Sequence, residues 1–419
     1  MPAAAPSKPL SLETHSPGTP AELAETVRAA YDSSIAIYPL GGRTALHCGT
    51  KPKAGGWSVA TEKLSSVVDY PARDLTITVE AGITVEALQA TLAGEHQFLP
   101  VDIAQPARAT LGGALAVNFS GPGRYGHGTL RDYVIGISAV DGTGTAFSAG
   151  GRVVKNVAGY DFCKLLVGSL GTLGVITQIT LKVKPQPAAR AYVVHPISSP
   201  FYAESLATAI IQSQTTPTAV QVVGGPACRD LIAKCGGDEM NGLALLVGLE
   251  GTGVEVEWMI ARLRAEWRSL GFEQPLIVDD AAASATIRRQ LTEFGCGDDS
   301  KQPIVLRLTC RPSATTQLCE LVRSQFAATS LIADPVCGVV LAQLPELAMH
   351  ELAGPVIGTL QPAATAVGGQ CVVWNSPTPE ELTRQLCWGS ARDSDAVLRR
   401  VKSIFDPKGI LNPGRFVFS

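Results

Sequence analysis

Gly150-Gly151-Arg152-Val153-Val154-Lys155-Asn156-Val157-Ala158-Gly159-Tyr160-Asp161, followed by Gly168-Ser169-Leu170-Gly171-Thr172-Leu173-Gly174-Val175-Ile176, is the stretch that decides the architecture. Its glycines gather in two short clusters separated by a run of helix length, and a strand begins directly after the second. In that strand Val175, Thr177, Ile179, Leu181 and Val183 alternate with Ile176, Gln178, Thr180, Lys182 and Lys184, as the period-two geometry of a strand requires. Glycine has no Cβ, so a glycine-rich backbone can reach contact distance with something large and flat. The clusters fit a cofactor surface or tight turns between packed elements.

The bulk of the chain narrows the classes. With 419 residues, 46% of them hydrophobic and 17% charged, two to three domains with a sizeable core are expected. A net charge of −3 offers no bulk attraction to nucleic acid or an anionic membrane. No apolar run approaches the length of a spanning helix, and Met1–Pro20 has no apolar core of a signal peptide, so residues 1–19 read as a disordered tail. None of the ten cysteines forms a C-x-x-C pair, which argues against a zinc ribbon or an iron–sulfur cluster and for reduced, buried thiols in a cytoplasmic protein.

Outward from the opening stretch, Thr19-Pro20-Ala21-Glu22 starts a helix with Leu23, Val27 and Tyr31 on one face. A short strand at 35–38 opens into Pro39-Leu40-Gly41-Gly42-Arg43-Thr44, a turn able to offer several backbone N–H groups to one anion, or a plain hairpin turn. Strands follow at 57–60 and 75–79, then a Thr84-capped helix carrying Leu88 and Leu92, and a strand at 98–101. Thr110–Asn118 reads as a small-residue helix, and Gly121-Pro122-Gly123-Arg124-Tyr125-Gly126-His127-Gly128 as a loop. Val134–Val140 and Thr145–Ser148 form a hairpin about Asp141-Gly142, and Lys184–Pro187 reads as a linker.

Beyond the linker, strands at 219–223, 243–249, 304–309 and 336–344 alternate with helices at 256–270 and 313–326, which suits helices on an antiparallel, ferredoxin-like sheet, in simple or enlarged form. The chain reads as irregular from about Gln361. A last helix at 391–404 places Val397, Val401 and Ile404 on one face, with Arg399, Arg400 and Lys402 complementing its dipole. Trp258 and Trp267 read as core, and Arg288-Arg289 as a solvated helix face.

Five motifs now stand in order: P-L-G-G-R-T at Pro39–Thr44, T-L-G-G-A at Thr110–Ala114, the G-P-G-R-Y-G-H-G loop, K-N-V-A-G-Y-D at Lys155–Asp161 and G-S-L-G-T-L-G-V-I-T at Gly168–Thr177. Together they resemble the PCMH-type FAD-binding domain of the vanillyl-alcohol-oxidase superfamily. The terminal D-P-K-G-I-L-N-P-G-R-F is similar to the tail of its 2-hydroxy-acid branch. Lys155–Asp161 and an apolar Leu170 look most like the FAD-binding E subunits of glycolate oxidases.

The resemblance implies an α+β fold: a two-lobed PCMH-type FAD-binding domain over residues 20–187, a ferredoxin-like cap over 188–375, and a C-terminal segment, 376–419, returning to the flavin domain. It implies non-covalent FAD held by Leu40, Gly41, Gly42, Arg43, Thr44, Thr110, Leu111, Gly112, Gly113, Gly123, Tyr125, His127, Gly171, Thr172, Gly174, Val175, Ile176 and Asn412. His127 is the weak candidate for a catalytic group, and Arg124, Arg131 and Lys155 are available to face a reduced flavin. The implied activity is FAD-dependent oxidation of the CH–OH group of glycolate or a related small 2-hydroxy acid. Electrons then pass to a partner, with a second flavin subunit and an iron–sulfur subunit expected and any membrane association made through partners. Two alternatives remain: a catalytically silent flavin-binding or electron-relay subunit, and an FAD-dependent sugar or alcohol oxidase. Many active relatives use cap histidines to hold a metal. Here only His195 and His350 lie that far along the chain, so no metal site is expected.

Overall fold

The computed structural model describes residues 12–52, 54–151, 161–197, 200–234, 243–272, 275–297 and 302–415. The Lys155–Tyr160 part of the K-N-V-A-G-Y-D motif lies outside the described residues. Three strands, β1 (Leu12–His15), β2 (Ala36–Leu40) and β3 (Gly56–Ala60), form a parallel sheet in the order β1-β3-β2. The expected disordered tail therefore fails at Leu12–His15, which pairs with β3. The helix Pro20–Ser33 starts at Thr19, whose hydroxyl accepts the N–H of Glu22, and buries Leu23, Val27 and Ala30.

The second sheet is antiparallel and runs β4-β5-β9-β7-β8. Its members in chain order are β4 (Val67–Asp69), β5 (Thr76–Glu80), β7 (Val134–Val140), β8 (Ala146–Gly150) and β9 (Val175–Lys182). The strand after the glycine clusters lies at its centre, with Ile179 and Leu181 fully buried. Asp161 caps the short helix Phe162–Leu166. The strand expected at 98–101 is only β6 (Gln97–Phe98). It pairs with β10 (Lys184–Pro185), so the expected linker is tied to the lobe it leaves.

Residues 189–375 carry an eight-stranded antiparallel sheet, the enlarged form of the expected layer. Its strands are β11 (Ala189–Pro196), β12 (Ala219–Gly224), β13 (Leu243–Gly251), β14 (Leu276–Val278), β15 (Ile304–Thr309), β16 (Ser330–Asp334), β17 (Val339–Leu344) and β18 (Gln370–Asn375). They are ordered β14-β11-β13-β12-β16-β17-β15-β18. One face packs on the helices Pro200–Gln212, Gly253–Ser269 and Thr315–Gln325 through Val220, Leu245, Leu306, Val340, Leu206, Leu263 and Val322. The other face is covered by Arg229–Lys234 and Ala281–Thr292 over β11, β12 and β13 and the adjoining parts of β14 and β16. Over β15, β17 and β18 that face turns toward the N-terminal lobe.

Several sequence expectations need correction. The segment from Gln361 is ordered: the helix Gln361–Ala366 precedes β18, whose Cys371 and Val373 are core. Trp267 is core, but Trp258 is 49% exposed. On the last helix, Ser394–Phe405, Val397 and Ile404 face outward, and only Val401 and Phe405 pack on the lobe. Lys402 is no surface dipole partner. Its ammonium donates to the carbonyls of Thr172 (2.6 Å) and Leu411 (2.8 Å) and to the buried Asp406 carboxylate (2.5 Å). Asp406 also accepts the N–H groups of Ile410 and Leu411, which closes the D-P-K-G-I-L turn.

Arg288, expected in solvent, sits at the seam between lobe and cap, whereas Arg289 is exposed. The Arg288 guanidinium donates to Asp102 of the N-terminal lobe (2.5 Å) and pairs with Glu250 of the cap. Glu250 also meets His127 Nε2 (2.8 Å) and Arg190 (3.2 Å). Burial pushes the Glu250 carboxyl upward, but the His127 hydrogen bond and the Arg288 and Arg190 charges outweigh it and hold it at about 2, from an ordinary 4.5. Because the folded carboxyl ionises below the unfolded one, its contribution is full above about pH 4.5 and is lost as pH falls toward 2. Urea unfolding should therefore lose roughly 3 kcal/mol of stability across that window. Glu250→Gln should flatten this loss; an unchanged acid limb in the variant contradicts the assignment.

Candidate functional site

Between lobe and cap lies a cavity, open at its mouth. Its floor is built from two turns of the N-terminal lobe, Pro39–Cys48 and Ala109–Gly113. The turns meet so closely that a Cβ on Gly41 would fall on the Thr110 hydroxyl and one on Gly42 on the carbonyl of Arg108. Thr110 caps the helix Leu111–Val117 by accepting the N–H of Gly113 (3.3 Å), so the T-L-G-G-A motif serves as cap and contact at once.

The first turn presents an anion site. Arg43 sits at φ 59, and among the described residues the backbone N–H groups of Gly42, Arg43 and Thr44 donate to no protein acceptor. Consecutive free N–H groups around a left-handed residue form a concave nest for phosphate oxygens. The described lining contains Arg43 and Arg415 but no aspartate or glutamate. His47 also lines it, and burial, helped by Arg415, lowers that imidazole to about 4, so it is neutral at pH 7. Burial pushes the Cys48 and Cys296 thiols up to about 12, which leaves them un-ionised.

A third wall comes from the Ser169–Thr172 turn and the C-terminal segment. Leu170 and Gly171 both have positive φ, 51 and 67. The turn is pinned from behind: Asn412 Nδ2 donates to the carbonyl of Leu170 (2.6 Å) and Lys402 to that of Thr172. Asn412 is held by a two-way backbone bridge, Ile37 N–H to Ile410 and Asn412 N–H to Ile37, both 2.7 Å.

The roof is the uncovered cap face. Strand alternation sends Leu306 and Leu308 into the cap core and leaves Val305 and Arg307 on the opposite face, beside Leu341 and Trp374. Arg307 stacks on the Trp374 ring (5.5 Å), whose indole is 5.2 Å from the Phe119 ring. Among the described residues no carboxylate pairs with Arg307. Burial and then repulsion from Arg124 lower the guanidinium to about 10, so it stays charged at neutral pH.

Of the residues expected at the site, Leu40, Gly41, Gly42, Arg43, Thr44, Thr110, Gly112, Gly113, Gly171, Gly174, Val175, Ile176 and Asn412 line this cavity. Five do not. Leu111 is core, and Thr172 is buried with its hydroxyl on the Ser169 carbonyl (2.6 Å). Gly123, Tyr125 and His127 belong to the seam: Gly123 N–H donates to Asp102, Tyr125 packs on the cap core and His127 pairs with Glu250. The glycine loop also contains a single helical turn, Arg124–His127, against the cap. Arg131 is exposed and Lys155 lies outside the described residues. Gln105, Phe119, Phe294, Cys296, Trp374 and Arg415 line the cavity without having been expected there.

Residues 14–150 match the family described as FAD binding domain, and residues 391–416 that described as FAD linked oxidases, C-terminal domain. A D-2-hydroxyglutarate dehydrogenase of Xanthomonas citri pv. viticola is 35% identical over 171 residues, 41% of this chain and 36% of that protein. Glycolate oxidase subunit GlcE of Escherichia coli is 41% identical over 124 residues, 29% of this chain and 35% of that protein. Similarity to these two thus spans about a third of their length. Glycolate oxidase subunit GlcD of Bacillus subtilis is 23% identical over 418 residues, 94% of this chain and 86% of that protein. The fold is shared with p-cresol methylhydroxylase, at a TM-score of 0.74 and 16% identity over 96% of this chain and 88% of that one.

FAD is the group this lobe holds, and the cavity suits it. The free N–H nest, the absence of a carboxylate in the described lining, and the glycines that keep two backbones in contact all fit a long, flat diphosphate. Gly42→Ala forces its methyl onto the Arg108 carbonyl and drives the two turns apart. The FAD-to-protein absorbance ratio after purification should fall about tenfold or more. Full loading in this variant contradicts the placement.

Proposed function

We propose, for a chain that belongs to the PCMH-type FAD-linked oxidoreductases, that it oxidises the CH–OH group of a small 2-hydroxy acid, with glycolate the simplest candidate, as the flavin-carrying subunit of a larger assembly. One observation carries this reading: a half-buried arginine without a carboxylate partner among the described residues, Arg307, on the cap face beside the cavity-lining Val305, Leu341 and Trp374. Its guanidinium lies over the Trp374 ring (5.5 Å), and a planar guanidinium recognises carboxylate oxygens in pairs.

FAD, when bound, supplies the acceptor for the hydride leaving the substrate carbon. The chain supplies the rest. Arg307 orients the substrate carboxylate, the apolar walls at Val305, Leu341 and Trp374 exclude water, and the pinned Ser169–Thr172 turn holds the opposite wall. The relatives' names support the substrate class, and their subunit designations support an assembly with partner chains. An iron–sulfur partner that takes the electrons onward belongs to the same reading.

A second reading, a flavin-bearing relay subunit without turnover of its own, is favoured by the histidines. His195 is buried against Trp267 with Nδ1 on the Pro196 carbonyl (2.6 Å), and His350 is exposed. Neither lines the cavity, and no group of three metal-ligating side chains occurs among the described residues. The readings part on one experiment. Under anaerobic conditions the FAD-loaded chain alone should lose its 450 nm band when glycolate or D-lactate is added, and Arg307→Met should raise the half-saturating acid concentration roughly 10- to 150-fold. No bleaching by any 2-hydroxy acid leaves the relay reading.

A further inference from the structure

Beside the flavin cavity lies a smaller one, of about 30 Å³, between Phe119–Arg124 of the N-terminal lobe and the cap strands. Phe119 and Leu341 line both, which sets the two side by side at the roof, with Trp374 in the lining of the larger and Arg307 over the Trp374 ring. The small chamber differs from the large one in holding a built polar end. Asp334 is 5% exposed. Its Oδ1 accepts the N–H groups of Val336 (3.0 Å) and Cys337 (2.8 Å), its Oδ2 accepts Gln221 Nε2 at a long 3.3 Å, and the Cys337 thiol lies beside the same carboxylate. A carboxylate has about four acceptor sites, so Oδ2 retains capacity for another donor. Ser120 Oγ is buried without a partner, a state that ordinarily costs about 1–3 kcal/mol. The Arg124 side chain has no hydrogen bond or ion pair among the described residues.

Charge sets the ligand class. At the roof, Arg307 and Arg124 bring two positive charges and Asp334 one negative, so that end is suited to a single carboxylate, while Arg43 and Arg415 lie at the 39–48 turn. Arg307 meets that carboxylate on the flavin side, and what extends into the chamber is then neutral but must both donate and accept. A methyl tail leaves Ser120 Oγ and Asp334 Oδ2 unsatisfied. A second carboxylate faces Asp334 across a poorly solvated gap. A hydroxyl donates to Asp334 and accepts from Arg124 or Ser120.

We infer that this side chamber is a subsite for the hydroxylated tail of the substrate, which makes the preferred acid a monocarboxylate carrying a further hydroxyl beyond its 2-hydroxy group. The inference rests on the 2-hydroxy-acid reading and narrows it from glycolate to polyhydroxy acids of the glycerate or threonate type.

The test titrates the FAD-loaded chain anaerobically with both enantiomers of lactate, glycerate and 2-hydroxyglutarate and with threonate, following heat of binding and flavin absorbance together. The expected result is that glycerate or threonate binds about tenfold or more tightly than lactate, with 2-hydroxyglutarate weakest. Asp334→Asn should shrink the glycerate-to-lactate ratio and improve 2-hydroxyglutarate, because it removes the repelling charge. Ser120→Ala, a smaller change, should shrink the ratio without improving the dicarboxylate, and it carries the test if the Asp334 variant does not fold. Binding with the hydroxyl preference but without bleaching keeps the subsite and overturns the oxidation reading. Bleaching with equal response to lactate and glycerate does the reverse. Binding of none of the acids overturns both.

Discussion

The site depends on a backbone contact that tolerates no side chain. Gly41 and Gly42, at the end of β2, lie against Arg108 and Thr110, at the start of the helix Leu111–Val117. The contact joins the parallel sheet to the antiparallel one, because the second turn is itself fastened to the latter: Leu111 N–H donates to Ile83 and Gly112 N–H to Ala81. It also leaves the N–H groups of Gly42, Arg43 and Thr44 pointing at free space. Two sheets of different hydrogen-bond pattern thus share one edge, and that edge is where a diphosphate fits.

Two further constraints turn this edge into a closed site. The first is the knot at the C-terminus. Lys402 spends its three donors on Thr172, Leu411 and Asp406, and Asp406 spends its acceptors on Lys402, Ile410 and Leu411. Every strong group in the knot is satisfied internally, which is the condition under which a buried ion pair holds geometry rather than merely costing desolvation. Its output is the position of Asn412 and, through it, of the left-handed Leu170–Gly171 turn. The second is the seam cluster of Asp102, Arg288, Glu250, His127 and Arg190, which fixes the cap above the cavity. Gln105 reinforces it by donating to Glu293 (2.7 Å) and to the Gly297 carbonyl (3.2 Å).

Much of the N-terminal lobe was legible from local pattern. Thr19 and Thr84 read as caps and are caps, and the alternation after Gly174 marks the central strand. The Gly41–Gly42 turn was readable as a turn, though not whether it serves an anion or a hairpin, and Gly112–Gly113 fell inside the helix read there. The cap was less legible. Buried strands such as β11 and β16 show apolar residues on both faces, so no period-two signal separates them from helix. The Gly121–Gly128 loop misled for a different reason. Its glycines do allow close approach, but Gly126 meets Thr218 of the cap rather than the cavity, and a single chain of residues carries no record of which surface a glycine serves. Arg288, Lys402 and Arg307 share that difficulty. Solvated, paired or held for a ligand, an arginine or lysine looks the same in sequence; only burial and the presence or absence of a carboxylate separate the three.

The central claim is that the cavity beneath the cap face is the flavin site. The most direct measurement is an experimental structure of the FAD-saturated chain. The diphosphate should lie against the N–H groups of Gly42, Arg43 and Thr44, with the ring system under the face formed by Val305, Leu341 and Trp374. Density for FAD elsewhere, or a diphosphate held away from the 41–44 turn, contradicts the account.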